Sequence, residues 1–158
     1  MKDASRSVSL GLFVLVLLCF LLPFARISCG KKEVVRATGY EVAFGKEIQA
    51  QPDTTGGKES WTGRPAEPDA VAIACLVAAV VGIGLVLVRE RRGAIARAIL
   101  SGHGLLFLIA LWAELRYRVR QNGAALQMLA GYWAALALFA AAGVANLLAI
   151  RRRPPPNL

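Results

Sequence analysis

The chain holds one histidine, three cysteines and two methionines among its 158 residues. A single histidine excludes a bis-histidine haem within one chain. Cys19, Cys29 and Cys75 form no CxxC pair and no metal-ligand spacing, so a disulfide framework and a zinc site both lack their residues. Cys19 and Cys75 sit inside apolar runs, where a thiol behaves as a small hydrophobe. Cys29 is left without an evident partner, and one such cysteine is too few for the redox pair that a membrane thiol oxidoreductase needs. No Walker loop, GxSxG or HExxH occurs, so no known catalytic motif is present and no enzyme activity is expected. Proline and midplane charges are missing from the interior of the long apolar runs, which argues against the broken helices of transporters.

What is abundant is apolar sequence. Hydrophobic residues make up 56% of the chain and the mean hydropathy is +0.52, above the range of ordinary soluble domains. Long uninterrupted runs carry the excess, which points to a membrane protein. The net charge of +9 does not point to nucleic acid. Between Arg26 and Asp69 seven basic residues balance seven acidic ones. The excess lies in clusters at the ends of apolar runs: Arg89, Arg91, Arg92 and Arg97; Arg116, Arg118 and Arg120; Arg151, Arg152 and Arg153. Such clusters meet lipid phosphates and set topology.

Along the chain, Val8 to Phe24 is the first run and reaches about 25 Å as a helix, enough for a thin hydrocarbon core. A cleaved signal peptide is the rival reading. The run exceeds the usual apolar region of such a peptide, and Ser28-Cys29-Gly30 is a marginal cleavage site. A lipid-attachment site at Cys29 would need an aliphatic residue where Arg26 stands. An uncleaved span is therefore preferred. Residues 26–69 form one long polar loop. Val34 and Val35, a Thr38-Gly39 turn and the alternation of Tyr40, Val42 and Phe44 predict a β-hairpin there. A lone hairpin is marginal in water and needs support from the helix ends. Gln49 to Pro68 reads as loop, with Trp61 as an interfacial anchor. Ala70 to Val88 is the second span. The third starts near Ala94 and continues as helix to Arg120, before an Asn122-Gly123 turn. The fourth helix starts near Ala124 and crosses between about Ala130 and Ile150.

Several side chains invite a functional reading. His103, in Ser101-Gly102-His103-Gly104, is the one histidine and lies at membrane depth, where an ionisable group is a functional hypothesis by default. It is the candidate cofactor ligand or proton relay. The plainer reading is a hydrogen bond across a helix bundle with small neighbours. Glu114 and Arg118 are spaced for an i, i+4 pair, and Asn146 for an interhelical hydrogen bond as donor. Ala78 and Gly82, Gly131 and Ala135, and Ala141 and Ala145 place small residues on single helix faces, where backbones can touch. Cys29, Tyr40, Phe44 and Trp61 are the interaction candidates.

The stretch Leu22-Pro23-Phe24, Ser28-Cys29, Thr38-Gly39-Tyr40 and Gly45 resembles a pattern in small uncharacterised bacterial membrane proteins. There a first span ends in a leucine-proline-aromatic step, followed by Ser-Cys and a Gly-Tyr segment closing on glycine. The resemblance covers the first 45 residues or so. It implies a multi-pass membrane protein and brings no catalytic residue with it. Four spans with a long first loop also resemble the claudin layout, but the paired loop cysteines are missing.

The sequence thus predicts an all-α membrane fold: a four-helix transmembrane bundle with spans near 8–25, 70–88, 94–115 and 129–150. A small extracytoplasmic β-hairpin occupies the first loop, 26–69. Density of basic residues places both termini on the cytoplasmic side of a bacterial inner membrane, against the arginines that follow the third span. The expected role is that of an accessory or scaffolding subunit acting through small-residue helix faces and the hairpin. Its partners would be the lipid bilayer, other membrane subunits or a second copy, with no nucleic acid and no cofactor. The alternatives are a cofactor- or proton-handling subunit using His103 and a small-molecule transporter.

Overall fold

Leucine- and valine-rich runs that are broken by small residues at three- and four-residue intervals wind into helices with one small-residue face. In the computed structural model this occurs four times. The structure describes residues 2–29, 32–45, 68–88, 91–121 and 125–151. Among them, helices α1 (Lys2–Cys19), α3 (Ala70–Gly84), α4 (Arg91–Gln121) and α5 (Ala130–Arg151) are the long elements. Strands β1 (Pro23–Cys29), β2 (Lys32–Thr38) and β3 (Ala125–Met128) and the short helix α2 (Gly39–Phe44) complete the fold. α4 and α5 are long and apolar enough to cross a membrane, whereas the apolar parts of α1 and α3, Ser7–Cys19 and Ala70–Gly84, are shorter.

The four long helices run up and down in a ring, with α1 and α4 each packed between α3 and α5. Each helix turns a stripe inward at alternating three- and four-residue steps: Ser9, Phe13, Val16 and Phe20 on α1 and its exit; Ala72, Cys75, Ala79 and Gly82 on α3; Ala94, Arg97, Ser101, Gly104, Leu108 and Leu111 on α4; Ala135, Phe139, Ala142 and Asn146 on α5. This is the 3.6-residue period expressed as one buried face per helix. Phenylalanines fill the space left by glycines. A Cβ on Gly82 would lie 2.5 Å from the Phe13 ring, and one on Gly104 would lie 2.4 Å from the Phe139 ring. The Phe13 and Phe139 rings themselves meet edge to face at 6.4 Å.

The sheet differs from the hairpin predicted by the sequence. The first helix ends at Cys19, with three successive tight-turn bonds from Phe20, Leu21 and Leu22 back to Leu17, Leu18 and Cys19. Pro23, which has no N–H to continue a helix, opens a strand instead. β1 pairs antiparallel with β2 on one side and with β3 on the other, in the order β2-β1-β3. β3 comes from the connection between α4 and α5. The Asn122-Gly123 turn expected there lies outside the described residues, and the residues that follow it form a strand. Phe24 anchors the sheet to the bundle. It is buried, 4.8 Å from the Phe20 ring and 6.2 Å from Tyr132.

Tyr40, Val42 and Phe44 are helical rather than extended. Thr38 caps α2: its hydroxyl accepts from the Glu41 N–H at 3.2 Å, and the Glu41 carboxylate accepts from the Thr38 N–H at 2.7 Å. This reciprocal capping box satisfies donors that a strand would have had to pair elsewhere. Gly45, at φ 85°, ends the helix in a conformation that side chains disfavour. Thr38→Ala should remove about 1 kcal/mol of cap stabilisation. In hydrogen exchange the amides of residues 40–44 would open about fivefold more often, while those of α4 and α5 stay unchanged. An unchanged α2 would show that packing, not the cap, holds the helix.

Candidate functional site

The bundle has a polar interior at the end where α1 begins, α3 ends, α4 begins and α5 ends. Arg97, on the inward stripe of α4, is only 3% exposed. Its Nε donates to Asn146 Oδ1 at 3.1 Å and its Nη1 donates to the Leu85 carbonyl at 2.7 Å. Asn146 Oδ1 also accepts from the Ser9 hydroxyl at 3.1 Å, and Asn146 Nδ2 donates to the Ala142 carbonyl at 2.8 Å. Ser101 donates to the Arg97 carbonyl at 2.8 Å, one turn along the same helix. One amide oxygen therefore joins α1, α4 and α5, and one guanidinium ties them to the chain just beyond α3. A cation near the last carbonyls of α3 also suits the negative end of its dipole. The hydrogen bonds of the cluster hold helices together.

The sequence groups Arg97 with Arg89, Arg91 and Arg92 as a cluster at the end of an apolar run, and Ser9 is a lone polar residue within the run Val8 to Phe24. The structure instead buries both side chains inside the bundle. The signal was present in the spacing: Arg97 stands three and four residues from Ala94 and Ser101 on the stripe that continues through Gly104 and Leu108. Asn146 does bridge helices, but as the acceptor; its donor groups serve its own helix.

His103 lies on the opposite face of α4 from Arg97 and is exposed, so it joins none of these groups. Its Nδ1 is 2.9 Å from the Ile99 carbonyl. A carbonyl only accepts, so Nδ1 is the donor in this bond and Nε2 takes no part in it. Tyr40 and Phe44 are also exposed, on one side of α2, with ring centroids 4.7 Å apart. The Cys29 side chain and Trp61 lie outside the described residues. Glu114 and Arg118 form their i, i+4 pair on the surface, and Arg116 lies over the Trp112 ring at 5.1 Å. Of the small-residue faces, Ala78, Gly82, Gly131 and Ala135 are buried within the bundle, while Ala141 is exposed and Ala145 half-buried. Among the described residues no three His, Cys, Asp or Glu side chains come together.

The architecture is that of a mostly helical protein carrying a small three-stranded sheet and two helices with the length and apolarity of membrane spans. Compared with family models, curated proteins and solved structures, the chain matches none of them.

Proposed function

We propose that the chain is a non-enzymatic integral membrane protein, an accessory or scaffolding subunit. All four long helices cross the bilayer, and both termini lie on the cytoplasmic side of a bacterial inner membrane. One observation carries the reading: the bundle is aliphatic outside on all four helices, around an interior of phenylalanines set against small residues with a polar cluster at one end. Val14, Leu15 and Leu18 of α1, Val77, Val80 and Val81 of α3, Ile99, Leu106 and Ile109 of α4, and Val144, Leu147 and Leu148 of α5 are all exposed. A continuous apolar exterior of this extent has no place in water. The interior needs no hydrophobic drive, because in lipid small residues and interhelical hydrogen bonds associate helices. The shorter α1 and α3 share this exterior, which supports counting them as spans. α3, with 15 residues, covers about 22 Å and is prolonged by the turns over Leu85–Val88.

Reporter fusions test the four-crossing topology. A reporter after residue 158 and one inserted between residues 50 and 60 should report opposite sides of the membrane, the first cytoplasmic. Reporters on the same side would overturn it. The scaffolding role requires association, so the detergent-solubilised protein should run as an oligomer or with a second subunit. A lone monomer in mild detergent would overturn that role.

A second reading, a cofactor- or proton-handling subunit, is favoured only by the exposed ring of His103. A colourless preparation from native membranes, with His103→Ala indistinguishable from the parent, rejects it.

A further inference from the structure

We infer that α2 is an interfacial anchor: Tyr40 and Phe44 dip into the headgroup–acyl boundary of a phospholipid bilayer and hold the sheet against the membrane surface. The inference rests on the membrane-spanning reading above and adds the partner of its exposed aromatic pair. Gly39 and Ala43 are buried against the bundle, so the four-residue spacing turns both aromatic rings outward, where they are 54% and 52% exposed. Such a pair belongs either in an interface between proteins or at a membrane surface.

Continuity favours the membrane. The Gly39 N–H bonds the Leu22 carbonyl and the Tyr40 N–H bonds the Phe20 carbonyl, so α2 sits directly on the exit of α1. The exposed Leu18, Leu21 and Leu22 extend the aliphatic exterior of α1 up to that exit. On the far side the Asp69 N–H bonds the Val42 carbonyl, where α3 starts. The level also fits. The Tyr132 hydroxyl donates to the Leu108 carbonyl, and Phe24 packs on both Phe20 and Tyr132, which sets the exit of α1 and the start of α5 level with Leu108 on α4. Near that level, among the described residues, Trp112 on α4 and Trp133 on α5 are exposed, and Tyr117 follows farther along α4 among the arginines. The opposite end exposes aliphatic side chains such as Val8, Leu10, Leu87 and Leu147 among the described residues. An aromatic belt confined to one end, with Arg116, Arg118 and Arg120 just beyond it, is the pattern of a lipid interface. Tyr40 and Phe44 complete the belt on the α1–α3 side, which otherwise lacks an exposed aromatic among the described residues.

Single-tryptophan probes test this in phosphatidylcholine–phosphatidylglycerol vesicles. The chain is first made tryptophan-free by Trp61→Phe, Trp112→Phe and Trp133→Phe. Phe44→Trp or Tyr40→Trp, both at exposed positions that tolerate the larger ring, is then introduced. Lipids brominated near the headgroup should quench most of the emission of each probe, and acrylamide in water should quench little. Strong acrylamide quenching with no loss to brominated lipid would mean that α2 faces water. Shielding from both quenchers would mean that protein covers the pair. Either result overturns the anchor. A parallel chain that keeps only Trp133 separates the two proposals. Quenching of Trp133 by brominated lipid without quenching at positions 40 and 44 defeats the anchor alone, and no quenching at any position defeats the membrane-spanning reading itself.

Discussion

Asn146→Leu should destabilise the bundle more than Arg97→Leu, although the second change removes a charge. Asn146 supplies the oxygen that two donors share, so its loss leaves the Arg97 Nε and the Ser9 hydroxyl buried without that acceptor. An unmade hydrogen bond to a buried charged group carries the full desolvation penalty, about 3 kcal/mol. Arg97→Leu removes the charge along with its needs and leaves Asn146 still bonded to Ser9. Of the bonds to Asn146 and Leu85, it is the Leu85 carbonyl that is left short, losing a charge-assisted donor worth roughly 1.5 kcal/mol. Ser9→Ala should cost least, near the average of about 0.6 kcal/mol for a hydrogen bond between membrane helices. The measurement is loss of helicity in mixed micelles of rising SDS fraction. Combining Asn146→Leu with Arg97→Leu should cost less than the sum of the two, because the stranded donor goes with its missing acceptor. Arg97→Lys should not substitute, since one ammonium on a flexible stem does not reproduce a planar group bonded in two directions. If Asn146→Leu proves no worse than Ser9→Ala, the amide is not the hub of the cluster.

Asn146 was visible in the sequence because an amide in an apolar helix stands out. Arg97 was not, because it follows closely on Arg89, Arg91 and Arg92 and charge clusters are read by proximity. Its role became legible only once the helical phase of α4 was fixed. The start of α3 at Ala70 and the extension of α4 past Arg120 agree closely with composition, whereas α5 starts at Ala130 rather than near Ala124 because Ala125–Met128 pair with β1 as a strand. The sheet was obscured for a different reason. Pro23 to Ile27 continues the apolar run of α1, and hydrophobicity alone does not distinguish a helix end from the strand that follows it. β3 has only four residues and depends on pairing with β1, a contact about a hundred residues away along the chain. At Tyr40, Val42 and Phe44 the alternation fits a strand, but the same residues fit a helix with Tyr40 and Phe44 four apart. The Thr38-x-x-Glu41 capping box was the deciding local signal.

Gly102 and Gly104 stand two residues apart on α4 and should respond oppositely to the same change. Replacing either by alanine removes backbone freedom that a helix interior disfavours, a gain of about 1 kcal/mol. At Gly102 a Cβ meets nothing within 4 Å, so Gly102→Ala should be neutral to slightly stabilising. At Gly104 the new methyl would lie between 2.4 and 2.7 Å from three atoms of the Phe139 ring. That ring is fully buried and wedged against Phe13, so it has little room to withdraw. Overpacking of this kind costs about 1–3 kcal/mol and outweighs the gain, and Gly104→Val should be worse still. Phe139→Leu alone opens a cavity, yet with Gly104→Ala the two changes should partly cancel, because the smaller side chain vacates the space that the methyl enters. The same SDS titration reads both positions. Equal responses at 102 and 104 would mean that α4 is rotated from the placement described. Gly102 also flanks His103 on the outer half of the helix. If Gly102→Val leaves stability intact but alters oligomeric state, the outer face of α4 is where the subunit meets its partner. If neither changes, association runs through another exposed face, on α1, α2, α3 or α5.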